Sequence, residues 1–402
     1  MRYPARVAAL LAAAITVGVG CSSSIAGNPQ PGLTPVNIAA LKTGAYTPEP
    51  SEFDPSVSLP NDVHLIEARR MLGYLVHPAD IDSDLSIAAE VRLFGNAEAP
   101  FNYSILPEKY RPAMVDNNLL AGVYVSHINE NLRNRKKLIV SVLRFATETI
   151  ATKAADELDR ASYLDDAGRH TIAIEGHPDA RASSNNDITA VSFIARGPFV
   201  VLTNTGVPQP DQSALSRVIR TTVDQQLTLL DQLKPTPWDD VLDAPFDLDS
   251  IMRRALPKAP DYSDPFWSYD DFGTYSPSGA LHFERNPVEV AKAFEEAGVD
   301  LVGRRAGVVY RTRDLPAAFR LQSALVIAGK NDEVLDPPPG LPDVRCLRLD
   351  SSDLVRSFDG LCAIVYGRYV AVVVSKAPLT ARIDHALNQR AAAQYAILAK
   401  SE

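Results

Sequence analysis

The feature that most constrains this fold is an order of strand and helix patterns that occurs twice along the chain. In the first occurrence, residues 138–145 alternate in hydrophobicity like a strand, and residues 147–158 carry apolar side chains at every fourth position like a helix. In the second, residues 306–312 give the strand pattern and a helix pattern begins at Asp314. Asp314 suits an N-cap, and Pro316 lies in the first turn, where its missing N–H costs little.

Each occurrence continues into a hairpin and a closing helix. Residues 191–203 and 362–374 each predict two strands around a tight turn that contains a glycine, Gly197 or Gly367. Amphipathic spacing then predicts two closing helices, residues 213–233 and 380–399. The sequence therefore predicts an α+β fold of two similar β-α-β-β-α units, with helices on one face of largely antiparallel sheets. Chance similarity between the two segments is the alternative.

A bridge rich in proline and aspartate separates the two units, because so many prolines exclude a long helix or a central strand. The first helix of the second domain is expected to begin at Asn286-Pro287 and to end at Gly298. The predicted order is a signal peptide (residues 1–20), a lipidated N-terminus and flexible tether (21–60), a first α+β domain (61–233), the bridge (234–280) and a second α+β domain (281–402). Within the tether, residues 36–46 hold apolar side chains that can dock onto a domain.

The N-terminus predicts export. Arg2 and Arg6 precede an apolar stretch over residues 7–19, which ends in small residues before Cys21. This is the layout of a secretory signal peptide with a cysteine where bacterial lipoproteins are acylated. The stretch is shorter than the roughly 20 residues that a membrane-spanning helix needs. Gly18 departs from the Leu or Val usual three positions before the cysteine, and the alternative is a secreted protein with a free Cys21.

The charge of the chain argues against a nucleic-acid partner. The formal net charge is −9. Removal of the signal peptide with Arg2 and Arg6 takes it to −11, with 38 basic against 49 acidic residues. Phosphate backbones and anionic headgroups repel such a body, so we expect any membrane attachment to come from the lipid anchor.

The two remaining cysteines predict a disulfide. Cys346 and Cys362 are sixteen positions apart, and in an exported protein such a pair reads as one bridge that adds about 3 kcal/mol of stability. Two buried free thiols are the alternative. No histidine and no third cysteine lies near them at ligand spacing, so no metal site is predicted there.

The bridge contains a concentration of aromatic residues interleaved with aspartates. The candidate ligand-binding residues are Tyr262, Phe266, Trp267 and Tyr269. Aromatic faces flanked by carboxylates often hold sugars or cationic groups. The alternative is that these rings pack the bridge onto the two domains.

Motifs for catalysis are missing from the sequence. It contains no G-x-S-x-G nucleophile elbow, no H-E-x-x-H pair and no glycine-rich phosphate loop. We therefore predict no catalytic residue, no metal and no cofactor.

Several short motifs together resemble a family of uncharacterised actinobacterial lipoproteins of the mycobacterial and nocardial kind. The matching residues are Cys21, Ala26-Gly27, Leu41-Lys42-Thr43-Gly44-Ala45-Tyr46, Glu67-Ala68-Arg69-Arg70-Met71, the Cys346/Cys362 pair and Ala393-Gln394-Tyr395-Ala396. The resemblance covers nearly the whole mature chain and implies a lipoprotein that faces the cell envelope. It carries no activity and no catalytic residues.

These observations predict a lipid-anchored protein on the extracytoplasmic face of the cell membrane, acylated (palmitate) at Cys21. We expect it to bind an envelope glycolipid, a peptidoglycan fragment or a protein partner without catalysis. The alternatives are an envelope hydrolase with an unrecognised site and a structural or scaffolding lipoprotein. A deep apolar cavity between the two units would favour a lipid ligand, and a flat polar seam would favour a protein partner.

Overall fold

Two antiparallel β-sheets, each with seven strands among the described residues, carry the fold. The computed structural model describes residues 33–53, 60–102, 104–164, 166–241, 246–259, 268–376 and 384–401, all within the unit Gly32–Glu402. The first sheet contains β1 Ile87–Phe94, β2 Ala121–Ile128, β3 Lys137–Arg144, β4 His170–Ile172, β5 Arg181–Ser184, β6 Thr189–Arg196 and β7 Phe199–Gly206. The second contains β8 Gly273–Tyr275, β9 Leu301–Arg304, β10 Val308–Arg311, β11 Glu333–Leu335, β12 Arg345–Arg348, β13 Gly360–Tyr366 and β14 Tyr369–Ser375.

Helices connect and cover these strands. They are α1 Pro60–Leu72, α2 Pro78–Ile81, α3 Ala99–Asn102, α4 Arg111–Asp116, α5 Glu148–Ser162, α6 Gln212–Leu230, α7 Trp238–Val241, α8 Pro277–Leu281, α9 Pro287–Ala297, α10 Leu315–Leu325 and α11 His385–Lys400. Short 3₁₀ turns lie at Ile38–Ala40, Glu108–Tyr110, Leu248–Ser250, Met252–Arg254 and Tyr269–Asp271. In the described part of the chain, no helix combines the length and the apolar character needed to cross a bilayer.

The two sheets have the same strand order. The first runs β1-β2-β3-β7-β6-β5-β4 and the second, read from β8, runs β8-β9-β10-β14-β13-β12-β11. Helix α5 follows β3 as α10 follows β10, and α6 follows β7 as α11 follows β14. The predicted α+β fold with two similar units is therefore confirmed. Each half is larger than the predicted unit, because short strands (β4 and β5, or β11 and β12) precede each hairpin.

Helices cover both faces of the first sheet, whereas the sequence predicted helices on one face only. Along β7, Val200 and Leu202 lie in a core cluster with Leu158 of α5. Val201, between them, lies in a separate cluster with Ile219 of α6. Because side chains alternate across a strand, α5 and α6 must lie on opposite faces. The central strands β3 and β7 are apolar at most positions, which is the pattern expected of strands buried on both faces.

Local sequence signals determine the turns and helix ends. Gly197 and Gly367 each lie in the turn of one hairpin. Their φ angles are 53° and 54°, in the left-handed region that glycine adopts at little cost. The Asp314 side chain accepts a hydrogen bond from the Ala317 N–H, which confirms it as the N-cap of α10. Gly298 ends α9 as predicted.

The disulfide is confirmed. Cys346 on β12 and Cys362 on β13 lie directly opposite each other in the antiparallel pair and are bonded. Both are buried in the core of the second half. The alternative of two free thiols is therefore wrong.

A glutamine clamps an extended segment in each half. In the first half, the amide of Gln226 on α6 donates to the Tyr74 carbonyl and accepts from the Val76 N–H, both at 2.9 Å. In the second half, Gln394 on α11 donates to the Arg254 carbonyl at 2.7 Å and accepts from the Leu256 N–H at 2.8 Å. Both glutamines are fully buried, so each amide satisfies backbone groups that water cannot reach.

Residues 33–53, which lie in the predicted tether, pack along the second half. Tyr46 is buried, and its hydroxyl accepts a hydrogen bond from Arg390 of α11 at 2.9 Å. The hydroxyl of Thr34 donates to the Asp343 carboxylate at 2.9 Å. This part of the N-terminal region is therefore held by specific contacts.

Helix α1 joins the two halves. It packs against β1 and β2 of the first sheet and against β8 and α8 of the second half. Its Glu67, buried, forms an ion pair with buried Arg144 of β3 and accepts a hydrogen bond from the Thr236 hydroxyl at 3.1 Å. Its Arg69 donates to the Asp270 carbonyl at 3.1 Å. The helix thus holds the bridge near both of its ends.

We predict that Glu67→Gln lowers the free energy of unfolding by about 3–5 kcal/mol, because the buried Arg144 guanidinium loses its ion pair with a carboxylate. Guanidinium denaturation measures the change. The matched control is Glu175→Gln, which removes an exposed ion pair with Arg220 and should change stability little. Equal effects of the two substitutions would contradict a role for Glu67 in holding α1.

Candidate functional site: a cavity between the two halves

A cavity of about 500 Å³ lies where the two halves meet. The first half supplies the loop after α1 (residues 73–77), the start of α2 and one face of α6. The second half supplies α8. A volume of this size is typical of small-molecule pockets, which often lie at the interface between structural units.

Contacts from both halves hold the loop over residues 73–77 in place. The Gln226 clamp fixes its backbone to α6. From the other side, the Ser278 hydroxyl of α8 donates to the Gly73 carbonyl at 2.9 Å. Helix α8 approaches closely here, since a Cβ on Gly279 would lie 3.3 Å from the Gly73 nitrogen. The cavity is therefore bounded by segments that are tied to one another.

The lining separates into an apolar part and a polar mouth. The apolar side chains are Leu75, Val76, Leu229 and Leu281. The polar side chains at the mouth, all of which solvent reaches, are Asp80, Asp224, Thr228 and Ser278. Among the described residues that line the cavity, none is lysine or arginine. The charge that the lining presents is therefore negative.

Three buried histidines meet beside the cavity, and His77 and His282 line it. The rings of His77 and His282 stack with centroids 5.1 Å apart, and His127 packs edge-on against His77 at 4.8 Å. The His127 Nδ1 donates to the Leu85 carbonyl at 3.0 Å, and the His282 Nε2 donates to the Leu75 carbonyl at 3.2 Å. These hydrogen bonds place the proton of each neutral ring on the donating nitrogen.

Burial keeps the three imidazoles neutral. It lowers the pKa of His127 to about 4 and the pKa of His282 to about 3. It also holds the pKa of His77 well below its ordinary value, and the neighbouring charges of His282 and His127 would lower it further. Because low-dielectric surroundings disfavour the charged ring, none of the three adds positive charge to the cavity wall near pH 7.

The histidine cluster is not a metal site. Within the described part of the chain, no group of three or more His, Cys, Asp or Glu side chains is arranged to hold a metal ion. The ring contacts are stacked and edge-on, whereas ligands of one ion must point their nitrogens at a shared centre.

The candidate residues singled out from the sequence either do not line this cavity or lie outside the described residues. Tyr262, Phe266 and Trp267, with Cys21, lie outside them, and Tyr269 falls in a short 3₁₀ turn. The aromatic binding site and the lipidation therefore stay predictions.

The histidine cluster was not predicted from the sequence. His77, His127 and His282 are far apart in sequence and match no ligand spacing. One signal was present, because His127 lies in the apolar strand β2, where a histidine needs a buried hydrogen-bond partner. Nothing in the sequence shows that the other two rings pack with it.

Comparisons with known proteins give a family but no activity. The N-terminal model described as "Domain of unknown function (DUF7373) N-terminal" matches residues 54–246, and the C-terminal model of the same domain matches residues 251–401. No curated protein matches the chain. One similar solved structure is the extracellular domain of PknH from Mycobacterium tuberculosis, with 10% identity and a TM-score of 0.29 over 42% of this chain and 96% of that chain.

We predict that stability falls on acidification below about pH 6.5. Each buried histidine has a native pKa below its value in the unfolded chain, so the unfolded chain takes up protons first. The stability that the neutral rings provide is complete above pH 6.5 and is lost toward about pH 4 for His127 and about pH 3 for His282. Each ring contributes up to about 1.4 kcal/mol per pH unit. Denaturant titrations at pH 7, 6 and 5 measure the slope.

Asp271 acts in the opposite direction, because burial raises the pKa of its carboxyl to about 6 and favours the folded, protonated form below that pH. The contribution of the histidines to the pH dependence of stability is isolated by the double variant His127→Asn/His282→Gln, which keeps a hydrogen-bond donor at each position. This double variant should show a shallower slope. The control is His170→Asn at an exposed histidine. An unchanged slope in the double variant would show that the cluster does not cause the acid sensitivity.

Proposed function

This chain belongs to the DUF7373 family, and we propose that it is a lipid-anchored extracytoplasmic protein that binds a small ligand without catalysis in the cavity between its two halves. The cavity carries the proposal. It is concave, it has an apolar interior with a polar mouth, and its walls are held by hydrogen bonds from both halves. Pre-formed pockets of this kind bind ligands without a large ordering cost.

The sequence and the disulfide support the location. The stretch before Cys21 has the layout of a lipoprotein signal peptide. The bond between Cys346 and Cys362 fits an oxidising compartment, since disulfides persist mainly outside the cytoplasm.

The shape of the seam favours a small molecule over a protein partner. A protein interface is broad, whereas the space between α6 and α8 is a pocket with buried Leu75 and Val76 in its wall. An envelope glycolipid or peptidoglycan fragment would therefore place only a limited part in the cavity. The bridge aromatics around Trp267 stay our predicted second contact for such a ligand.

We predict saturable binding of N-phenyl-1-naphthylamine, an uncharged apolar fluorophore, because the interior of the cavity is apolar. Fluorescence titration of the full-length protein measures the affinity. Thr228→Trp places a bulky ring at the mouth and should weaken binding at least about tenfold, or about 1.4 kcal/mol.

The matched control is Thr221→Trp on the same helix. The hydroxyls of both threonines donate to the carbonyl four residues earlier, but Thr221 does not line the cavity. Absence of dye binding, or equal loss in both variants, would contradict binding in the cavity.

The anchor has its own prediction. We expect protein from the membrane fraction to begin at an acylated Cys21, which mass spectrometry of the N-terminal peptide detects. Cys21→Ala should move the protein out of the membrane fraction, whereas Ser22→Ala should leave it there. An unmodified N-terminus on membrane-extracted protein would contradict lipid anchoring.

A further inference from the structure

We infer that the cavity takes a small organic cation, with its ammonium group at Asp80 and Asp224 and its apolar part against Leu75, Val76 and Leu281. This inference rests on the proposed function, since it names the class of ligand for the same cavity. It follows from the charges of the lining residues, from the hydrogen bonds that their polar groups already make, and from the position of the polar groups at the mouth and the apolar groups inside.

The charge of the lining selects against anions. Two carboxylates stand at the mouth, and the described lining residues include no lysine or arginine. The imidazoles of His77 and His282 are neutral near pH 7. A carboxylate or phosphate ligand would therefore meet only repulsion, whereas a cation would meet two attractive charges.

Asp80 is the carboxylate whose negative charge is least balanced by positively charged neighbours. Its neighbours Asp82 and Asp84 both form ion pairs with Lys136, at 2.8 and 2.7 Å. Asp80 forms no ion pair among the described residues, and partial burial raises the pKa of its carboxyl. A bound ammonium would supply the missing positive charge and favour the ionised form.

Asp224 offers a second acceptor on α6, a helix that contacts α2. Its Oδ1 accepts a hydrogen bond from the His177 Nε2 at 2.6 Å. Its Oδ2 makes no hydrogen bond within the described residues. This leaves one carboxylate oxygen on α6 for a donor from the ligand.

The hydroxyl groups at the mouth are also acceptors. The Ser278 hydroxyl uses its proton on the Gly73 carbonyl at 2.9 Å, and the Thr228 hydroxyl uses its proton on the Asp224 carbonyl at 2.9 Å. The Ser278 oxygen also accepts a hydrogen bond from the Ser276 hydroxyl at 3.0 Å. The lone pairs that remain on the Ser278 and Thr228 oxygens can only accept. An ammonium group has donors and no acceptor, so it matches this set of groups.

The test compares three six-carbon probes whose head groups carry a positive charge, no charge or a negative charge. Hexylammonium, hexanol and hexanoate are titrated into the full-length protein by calorimetry at pH 7 and low salt. Hexylammonium should bind about tenfold more tightly than hexanol, and hexanoate more weakly than hexanol. The preference should shrink in 0.5 M salt, because mouth charges are partly screened.

Substitutions locate the preference. Asp80→Asn together with Asp224→Asn should bring the hexylammonium-to-hexanol affinity ratio toward one. Asp84→Asn, an exposed carboxylate that does not line the cavity, should leave the ratio at its wild-type value. Because the ratio is measured within each variant, a general loss of stability does not imitate the effect.

The outcomes separate this inference from the proposed function. Equal binding of hexylammonium and hexanol, tighter binding of hexanoate, or no binding of hexylammonium overturns the inference. If the uncharged fluorophore still binds and Thr228→Trp still weakens that binding, the proposed function stands without a cation. If the fluorophore also fails to bind, the proposed function falls as well.

Discussion

The buried ion pair between Glu67 and Arg144 fixes the position of α1, and the arrangement of the two halves depends on where α1 lies. Both side chains are almost completely removed from water, with 1% and 6% of their surfaces exposed. A buried charge without its partner is very unfavourable, so α1 cannot slide along the first sheet without a large cost. Arg69 of the same helix donates a hydrogen bond to the Asp270 carbonyl, just before β8. Helix α1 therefore also positions the start of the second sheet.

The position of α1 also determines the chemistry of the cavity. The loop over residues 73–77 leaves α1 directly, and it brings Leu75 and His77 against α8. The histidines are buried by this contact and lose their tendency to become charged. The cavity therefore combines a neutral interior with an acidic mouth, and the negative potential at the mouth is not cancelled from below.

The sequence predicted those parts of the fold that depend on neighbouring residues. Gly197 and Gly367 marked the hairpins, Asp314 marked a helix start, and Cys346 with Cys362 marked a bond between paired strands. The short strands β4 and β11 were missed because most of their residues are exposed and give no alternation. The cavity was predicted only as a seam between two units, since its walls come from segments about 50 to 200 residues apart.

The glutamine clamps show that the similarity between the two halves extends further upstream than the strand pattern indicates. Gln226 and Gln394 occupy corresponding helices and hold segments that precede β1 and β8 in the same way.

The consequences of this clamp differ between the halves. In the second half, the Gly307 N–H donates to the Leu256 carbonyl at 3.2 Å, and a Cβ on Gly307 would lie 3.2 Å from the Leu256 Cβ. The backbone at Gly307 therefore packs directly on the clamped segment and leaves no space beside it. In the first half, the clamped segment faces α8 of the other half, and the space between them is the cavity. The cavity is therefore a product of how the two halves associate, not a feature that each half carries.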